Sequence, residues 1–427
     1  MRVKKKKNIQ ISVKRIRRFL RLVPNVRDAF KCSLFEALQY QSRAHIAYRL
    51  ARKSESIKLR ESFQVTLAEA LALQKGTDAE SEAQNLRRIE QQRRQTRNVK
   101  RMRGLLGNSR DTKLWYTDET GSRIQCSTQH SMEIACFTEN ETRFRQTELT
   151  PPMVSPIIDD LGFLGDTDSV EAILAGHYSP PPGTDPYLQE LLRALRMPSS
   201  IRQRVAQSRL ISTLISQEDH CSGWKKRRLA SAESSGLTMD HYLAGTRDLA
   251  IAAIDTLFRQ LPYQHGFSPE SWQMITDVEI LKKAGVYDVE LMRTIQLMHA
   301  EFNANNKKLG RDVMAFAESC QALAPEQFGS RKNHQAILAA LNKRLTMDIL
   351  RQRRHAGALC SNDAKSCYDR IVHNVATIAL RRLGMPSAPV RSMFATLQGS
   401  HHHISTAFGV SKRHYGGHSA TPLQGVG

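Results

Sequence analysis

Ser361-Asn362-Asp363-Ala364-Lys365-Ser366-Cys367-Tyr368-Asp369-Arg370-Ile371 is the stretch whose reading decides the fold. Ahead of it, Ala356-Gly357-Ala358-Leu359-Cys360 is short, apolar and strand-like. Behind it, Arg370 to Leu383 is apolar at helical spacing. This pattern predicts a strand that ends at Asp363 and a helix that starts shortly beyond Asp369. A carboxylate at a strand end can bind magnesium, a hard cation that takes oxygen ligands and keeps room for phosphates. Two such ions hold the attacking and leaving oxygens of a phosphoryl transfer. An aromatic five residues on, Tyr368, would then floor a sugar pocket. The competing reading makes Asp363 a helix cap and Asp369 a first-turn carboxylate that favours the helix dipole.

Working outward, the chain has 427 residues, room for one to three domains. Its net charge of +22 predicts a polyanionic partner, nucleic acid before an anionic membrane. No apolar run is long enough to span a bilayer, and the basic start at Met1–Lys7 lacks the apolar region of a secretory signal. The seven cysteines are scattered and form no C-x-x-C pair, so neither a disulfide framework nor a zinc knuckle is predicted. A reducing compartment, nucleus or cytoplasm, follows as the expectation.

Residues 1–104 read as a basic, mostly helical and partly disordered arm, with 27 Lys and Arg against 9 Asp and Glu. Ile9, Val13, Ile16, Phe19, Leu20 and Val23 form an apolar helix face closed by Pro24. Basic clusters at 4–18 and 225–228 are compatible with nuclear import or with phosphate-backbone binding. Residues 105–150 read as a small mixed element, with strands at 114–116 and 122–126 around the turn Asp118–Gly121 and a helix over 133–147. Residues 151–265 read as a proline-rich linker followed by helices. Within it, Asp159-Asp160 reads as capping or solvated rather than catalytic. Trp224 stands beside a basic cluster that can face nucleic acid or solvent. Leu249 to Leu261 reads as a helix closed by Pro262, with Ala250, Ile254, Leu257, Phe258 and Leu261 on its apolar face. His401-His402-His403 lies in a hairpin-like segment. Alternation on a strand keeps the three imidazoles from converging on one metal.

From Phe267 the order of motifs becomes informative. Val278-Glu279-Ile280-Leu281-Lys282-Lys283, a turn at Ala284-Gly285, and Leu291-Met292-Arg293-Thr294-Ile295 come first. Gln327-Phe328-Gly329 and the amphipathic segment Ala336–Leu350 follow, and then Asp363. This ordered set, over roughly 267–427, resembles the fingers and early palm of reverse transcriptases of the retrotransposon and group II intron kind. The resemblance implies an α+β fold, with the basic helical region followed at 266–427 by the fingers and part of the palm of a right-hand polymerase. It implies that Asp363 is the first catalytic aspartate and ligates Mg2+ together with the carbonyl of Ala364. Lys282 or Lys283 and Arg293 would grip the incoming triphosphate, and Tyr368 would select deoxyribose. Gln327, Phe328, Gly329, Arg331 and Lys332 would lie along the template.

In the final residues the family's Gly-x-x-Gln-Gly motif is incomplete: either Gly425-Val426-Gly427 is its first half, or Leu423-Gln424-Gly425 is the motif in a shifted form. Gln424 and Gly425 would line the nucleotide, while the Tyr-x-Asp-Asp hairpin is not in the sequence. The resemblance therefore implies RNA-directed DNA synthesis for the family, with RNA template, DNA primer and deoxynucleoside triphosphates as partners and no membrane. For this chain it implies an N-terminal part with little or no activity of its own. The second reading is a non-enzymatic nucleic-acid-binding remnant that works through the basic arm. A helical scaffold that makes no contact with nucleic acid is the third.

Overall fold

The computed structural model describes residues 113–207, 212–225, 239–358 and 367–416, with Cys360 and Asp363. Nearer the N-terminus it describes Ala68, Glu69, Ala72, residues 78–85 and Arg88, nearly all of them helical. The amphipathic segment 9–23 and the cluster Lys226–Arg228 lie outside the described residues. In chain order the elements begin with β1 (Leu114–Thr117), β2 (Arg123–Cys126), α1 (Gln129–Phe144), α2 (Ile157–Leu161), α3 (Asp168–Ala175), α4 (Pro186–Ala194) and α5 (Ser199–Gln207). Next come α6 (Gln217–Lys225), α7 (Met239–Gly245), α8 (Leu249–His265), β3 (Met274–Leu281), β4 (Met292–Leu297), α9 (Ala300–Ser319) and α10 (Ala336–Gln352). The last are α11 (His373–Arg382), α12 (Ser387–Gln398), β5 (His401–Thr406), β6 (Gly409–Val410) and β7 (Tyr415–Gly416). The fold is α+β, helices with a mixed sheet. Among the described residues no helix is long and apolar enough to cross a membrane.

The described residues form two compact units that interleave along the sequence. One draws on residues up to Arg145, Leu214–Asn305 and those from Ala395 onward; the other uses Gln146–Thr213 and Asn306–Phe394. All the strands belong to the first unit. There β1 and β2 form the expected hairpin. Its turn is closed by Asp118 Oδ1, which accepts from the backbone N–H of Thr120 (3.0 Å) and of Ser122 (2.8 Å). A larger sheet runs β4-β3-β5-β6, with β3 antiparallel to β4 and parallel to β5, and β7 pairs with β5. Thr128 starts α1 with a reciprocal capping pair to Ser131.

Two local expectations change in this unit. Pro262 does not close α8. A proline in the last turn forfeits one backbone bond, but the helix runs on to His265 and stops at Gly266, whose φ of +72° suits a glycine. The buried face of α8 is also polar in part. Leu257 is exposed, whereas Asp255 and Arg259 are buried, with Arg259 Nε donating to Asn305 Oδ1 (3.0 Å) and its Nη1 lying 3.2 Å from His220 Nδ1. Trp224, read as an aromatic beside a basic cluster, stacks on Tyr242 in the core, with ring centroids 4.4 Å apart.

In the second unit the proline-rich stretch is not a loose linker. Ile157, Leu161, Val170, Ile173, Leu174, Leu188, Leu192 and Leu195 form a core with Ile378 of α11. Here the prolines set off short helices, because proline is tolerated at a helix start; Pro186 opens α4 behind the Asp185 cap. Asn374 Nδ2 donates to the carbonyls of Pro152 (3.1 Å) and Gly162 (3.2 Å). At Gly165 (φ +65°) a β-carbon would stand 2.6 Å from the Asn374 carbonyl oxygen, so only glycine fits. Asp159 and Asp160 are structural. Asp159 accepts from Ser155 Oγ and Asp160 from the Tyr178 hydroxyl, each at 2.6 Å. Among the described cysteines, Cys126 and Cys136 are buried.

His373 opens α11 fully buried, and burial pushes its imidazole down to about 3. The native state therefore resists a proton that the unfolded chain accepts below about pH 6.5. Stability from this group is complete above that pH and falls as pH drops toward 3. By pH 5 the loss is expected to be about 2 kcal/mol, read as faster hydrogen exchange of the α11 amides. The His373→Gln variant should show a flatter dependence on pH.

Candidate nucleic-acid and nucleotide interface

The β3–β4 hairpin forms where the sequence placed it. Ile280 pairs with Arg293, Val278 with Ile295 and Thr276 with Leu297. Lys282 and Lys283 follow the end of β3, the turn passes through Gly285 (φ +81°), and all three cations are exposed. The parallel strand β5 extends the sheet, setting Met274 beside His401, Thr276 beside His403 and Val278 beside Ser405. Alternation divides these residues between two faces. The outer face carries Met274, Thr276, Val278 and Ile280 on β3 and Arg293, Ile295 and Leu297 on β4; the inner face carries Ile275, Asp277 and Glu279. Met274, Ile280 and Ile295 are exposed. The outer face is thus largely apolar, with the cations Lys282, Lys283 and Arg293 toward one end.

A buried carboxylate, Asp277, and a half-buried one, Glu279, hold the inner face. Asp277 accepts from the Tyr415 hydroxyl, and His402 Nδ1 lies 3.2 Å from its Oδ2. Glu279 accepts from Asn140 Nδ2 (2.8 Å) and Thr294 Oγ1 (3.0 Å). Arg143 Nη1 donates to Thr294 Oγ1 (3.0 Å) and its Nη2 to Glu139 (3.0 Å). This network ties α1 to both strands of the hairpin and fixes the strand that presents Arg293. Nothing in the sequence reading singled it out. The signal was there, since Asp277 and Glu279 stand at alternate positions of an otherwise apolar strand.

The Asp363 region belongs to the second unit, and the described residues before it form no strand. Helix α10 ends at Gln352, Arg354 takes a φ of +51°, and Ala356–Ala358 and Cys360 are irregular. The reason is pairing. A strand must share its backbone bonds with a neighbour, and the described residues of this unit contain none. The helix beyond Asp369 does form, as a 3-10 turn at Tyr368–Arg370 and then α11. Asp363 is exposed. Tyr368 is 72% exposed. Arg370 Nε, donating to Gln146 Oε1 at 2.7 Å, anchors the turn.

Among the described residues no group of three histidines, cysteines or acids is placed to share a metal ion. Asp363 alone does not make a two-magnesium site, because each ion needs near-octahedral oxygen coordination. Ala364, Gln424 and Gly425 lie outside the described residues.

The segment Gln327–Lys332 is a loop. Phe328 is half-buried against His334, with ring centroids 5.7 Å apart, while Gln327, Gly329 and Lys332 are exposed. Arg331 is already engaged. It makes a two-pronged pair with Glu318 (2.7 and 2.9 Å) and donates to the carbonyls of Ala324 and Gln327. The following helix, α10, buries none of its residues; Ile337, Leu341, Leu345 and Ile349 form an exposed apolar stripe.

No protein-family model matches the chain, and no curated protein matches it significantly.

Burial is the main force raising the Glu279 carboxyl above its ordinary range. The folded state thus favours the protonated acid. Stability from this group is present at low pH and is lost as pH rises from the usual carboxylate range through the raised value. The Glu279→Gln variant is expected to remove that loss, measured as denaturant midpoints between pH 4 and 8.

Proposed function

We propose that this chain is a nucleic-acid-binding polypeptide of the reverse-transcriptase kind from a retroelement, with a fingers-like sheet that takes template and incoming nucleotide. The observation that carries the reading is the β3–β4 hairpin, with Lys282 and Lys283 at its tip and Arg293 one strand across. The hairpin follows the motif order of that family, and its outer face has the chemistry the role requires. Arginine grips phosphate oxygens through two parallel donors, and lysine acts as a point charge. The +22 net charge supports the same partner class. In this reading Asp363 is the first metal carboxylate, Tyr368 the sugar-selecting aromatic and Gln327–Lys332 the template segment, with Mg2+ as the family's cofactor. A right-hand polymerase fold belongs to the proposal as well.

The lone exposed Asp363 favours a second reading, in which the chain binds nucleic acid without catalysing transfer. There the basic arm, residues 1–104, supplies the affinity.

Two measurements separate these readings. Photo-crosslinking to a deoxynucleoside triphosphate should weaken tenfold or more, about the worth of one charge-assisted contact, in the Lys282→Ala/Lys283→Ala/Arg293→Ala variant. Unchanged crosslinking would remove the hairpin from the proposal. Deletion of residues 1–104 should abolish most RNA affinity if the arm is the binding element and leave triphosphate crosslinking intact. Magnesium-dependent primer extension by the 427-residue chain alone is expected to be absent, since its sequence holds no Tyr-x-Asp-Asp to supply the family's remaining metal carboxylates.

A further inference from the structure

Helix α10 buries none of its 17 residues. Ile337, Leu338, Leu341, Leu345 and Ile349 are between 43 and 67% exposed. With about 3.6 residues per turn, steps of four keep these side chains within about a third of the helix circumference, so they form one continuous apolar stripe. The half-buried apolar residues Ala339, Met347 and Leu350 fall on the opposite side. There a β-carbon added at Gly357 would stand 2.6 Å from Leu350 Cδ1, which places the chain beyond the helix against that side. The stripe is left to solvent.

Charge borders the stripe unevenly. Arg344 and Arg351 stand along one edge, with side chains 73 and 74% exposed, and Asn342 and Thr346 along the other. Asp348, the one acid of α10, accepts from both arginines (3.1 and 3.3 Å), so a single carboxylate answers two guanidiniums. Lys343, Arg353 and Arg354 are exposed as well. A phosphate backbone would answer these cations but leave the aliphatic side chains wet, and bases stack on aromatic rings, of which the stripe has none. Helices that lie on bilayers carry Trp or Phe on the apolar face and cations across the polar one, which Asn342 and Thr346 do not match. The segment 9–23 of the same chain has an apolar face, but Lys14, Arg15, Arg17 and Arg18 beside it repel the arginine edge. A second copy of α10 docked antiparallel sets arginines against arginines, and docked parallel sets them against Asn342 and Thr346. Neither arrangement supplies an acid. A helix with an apolar face and acids along one edge answers the stripe and the arginines together.

We propose that α10 is the docking helix for a different polypeptide, which contributes an acidic amphipathic helix. Its apolar face covers Ile337, Leu338, Leu341, Leu345 and Ile349, and its Asp or Glu side chains lie along the edge of Arg344 and Arg351. The apolar contact supplies the affinity, because burying exposed leucine and isoleucine is favourable whatever the partner. The arginine edge supplies the selection for acids and the orientation. This surface lies on a helix that takes no part in the triphosphate-gripping hairpin, so the inference stands apart from the nucleic-acid reading.

The test uses the full chain and two fluorescein-labelled designed helical peptides, read by anisotropy. Both carry leucine along one face; one has glutamate along a single edge and the other has lysine at the same positions. Wild type is expected to bind the glutamate peptide with a Kd of about 10 μM or tighter, and at least about tenfold better than the lysine peptide. The Leu341→Ser/Leu345→Ser variant should weaken that binding about a hundredfold, which separates docking on the stripe from general attraction of an acidic peptide to a basic chain. The Arg344→Glu/Arg351→Glu variant should reverse the preference between the peptides. All four residues are exposed, and circular dichroism confirms that each variant is folded. Failure of the glutamate peptide to bind, equal binding of the two peptides, or binding untouched by the serine variant overturns the proposal. Three further outcomes overturn it in favour of another occupant, each being a property of wild type that the serine variant loses. They are dimerisation in sedimentation equilibrium, binding to phosphatidylcholine–phosphatidylserine vesicles, and affinity for single-stranded RNA.

Discussion

Strand β3 turns two carboxylates, Asp277 and Glu279, toward the interior, and the first unit is organised around satisfying them. A buried charge without partners costs several kcal/mol. Here each oxygen finds a donor from a different part of the chain. Tyr415 comes from β7, His402 from β5, Asn140 from α1 and Thr294 from β4. Those partners fix the register of the sheet and the seating of α1, because a slip of one residue would turn both acids to the outer face. Phe144, His402 and Tyr415 stack beside the network and shield it from water.

This internal constraint has an external consequence. With the odd and even positions of β3 fixed, the even positions Met274, Thr276, Val278 and Ile280 form the outer face, exposed at Met274 and Ile280. The same register puts Arg293 beside Ile280 and the outer histidines beside Met274 and Thr276. The candidate interface is therefore the reverse side of a buried polar network. A rigid inner face is what allows exposed side chains to be presented in a defined order.

The second unit shows the opposite case, in which local sequence and context disagree. Ala356–Cys360 has strand composition, yet its described residues are irregular, since no neighbouring strand takes up their hydrogen bonds. The proline-rich stretch has linker composition, yet it folds, because its prolines fall at helix starts and its leucines and isoleucines meet around Ile378. Arg331 has the chemistry of a phosphate ligand, but Glu318 and two carbonyls already occupy its donors. In each case the deciding partner is remote in sequence or absent from the described residues.

What the sequence determined by itself was local and periodic. The β1–β2 hairpin follows from Asp118 and Gly121, the β3–β4 hairpin with Lys282, Lys283 and Arg293 from alternation around Gly285, and α11 from apolar spacing after Asp369. Alternation also foretold that three successive histidines would not converge. Tertiary structure alone decided which donors meet Asp277 and Glu279, why Trp224 and Arg259 are core residues, and that His414 returns to join His401 and His403. Short-range order is set by backbone geometry and side-chain period, which can be read along a line. Pairing between distant residues is set by which buried groups must be satisfied together, and that appears only when the chain has folded.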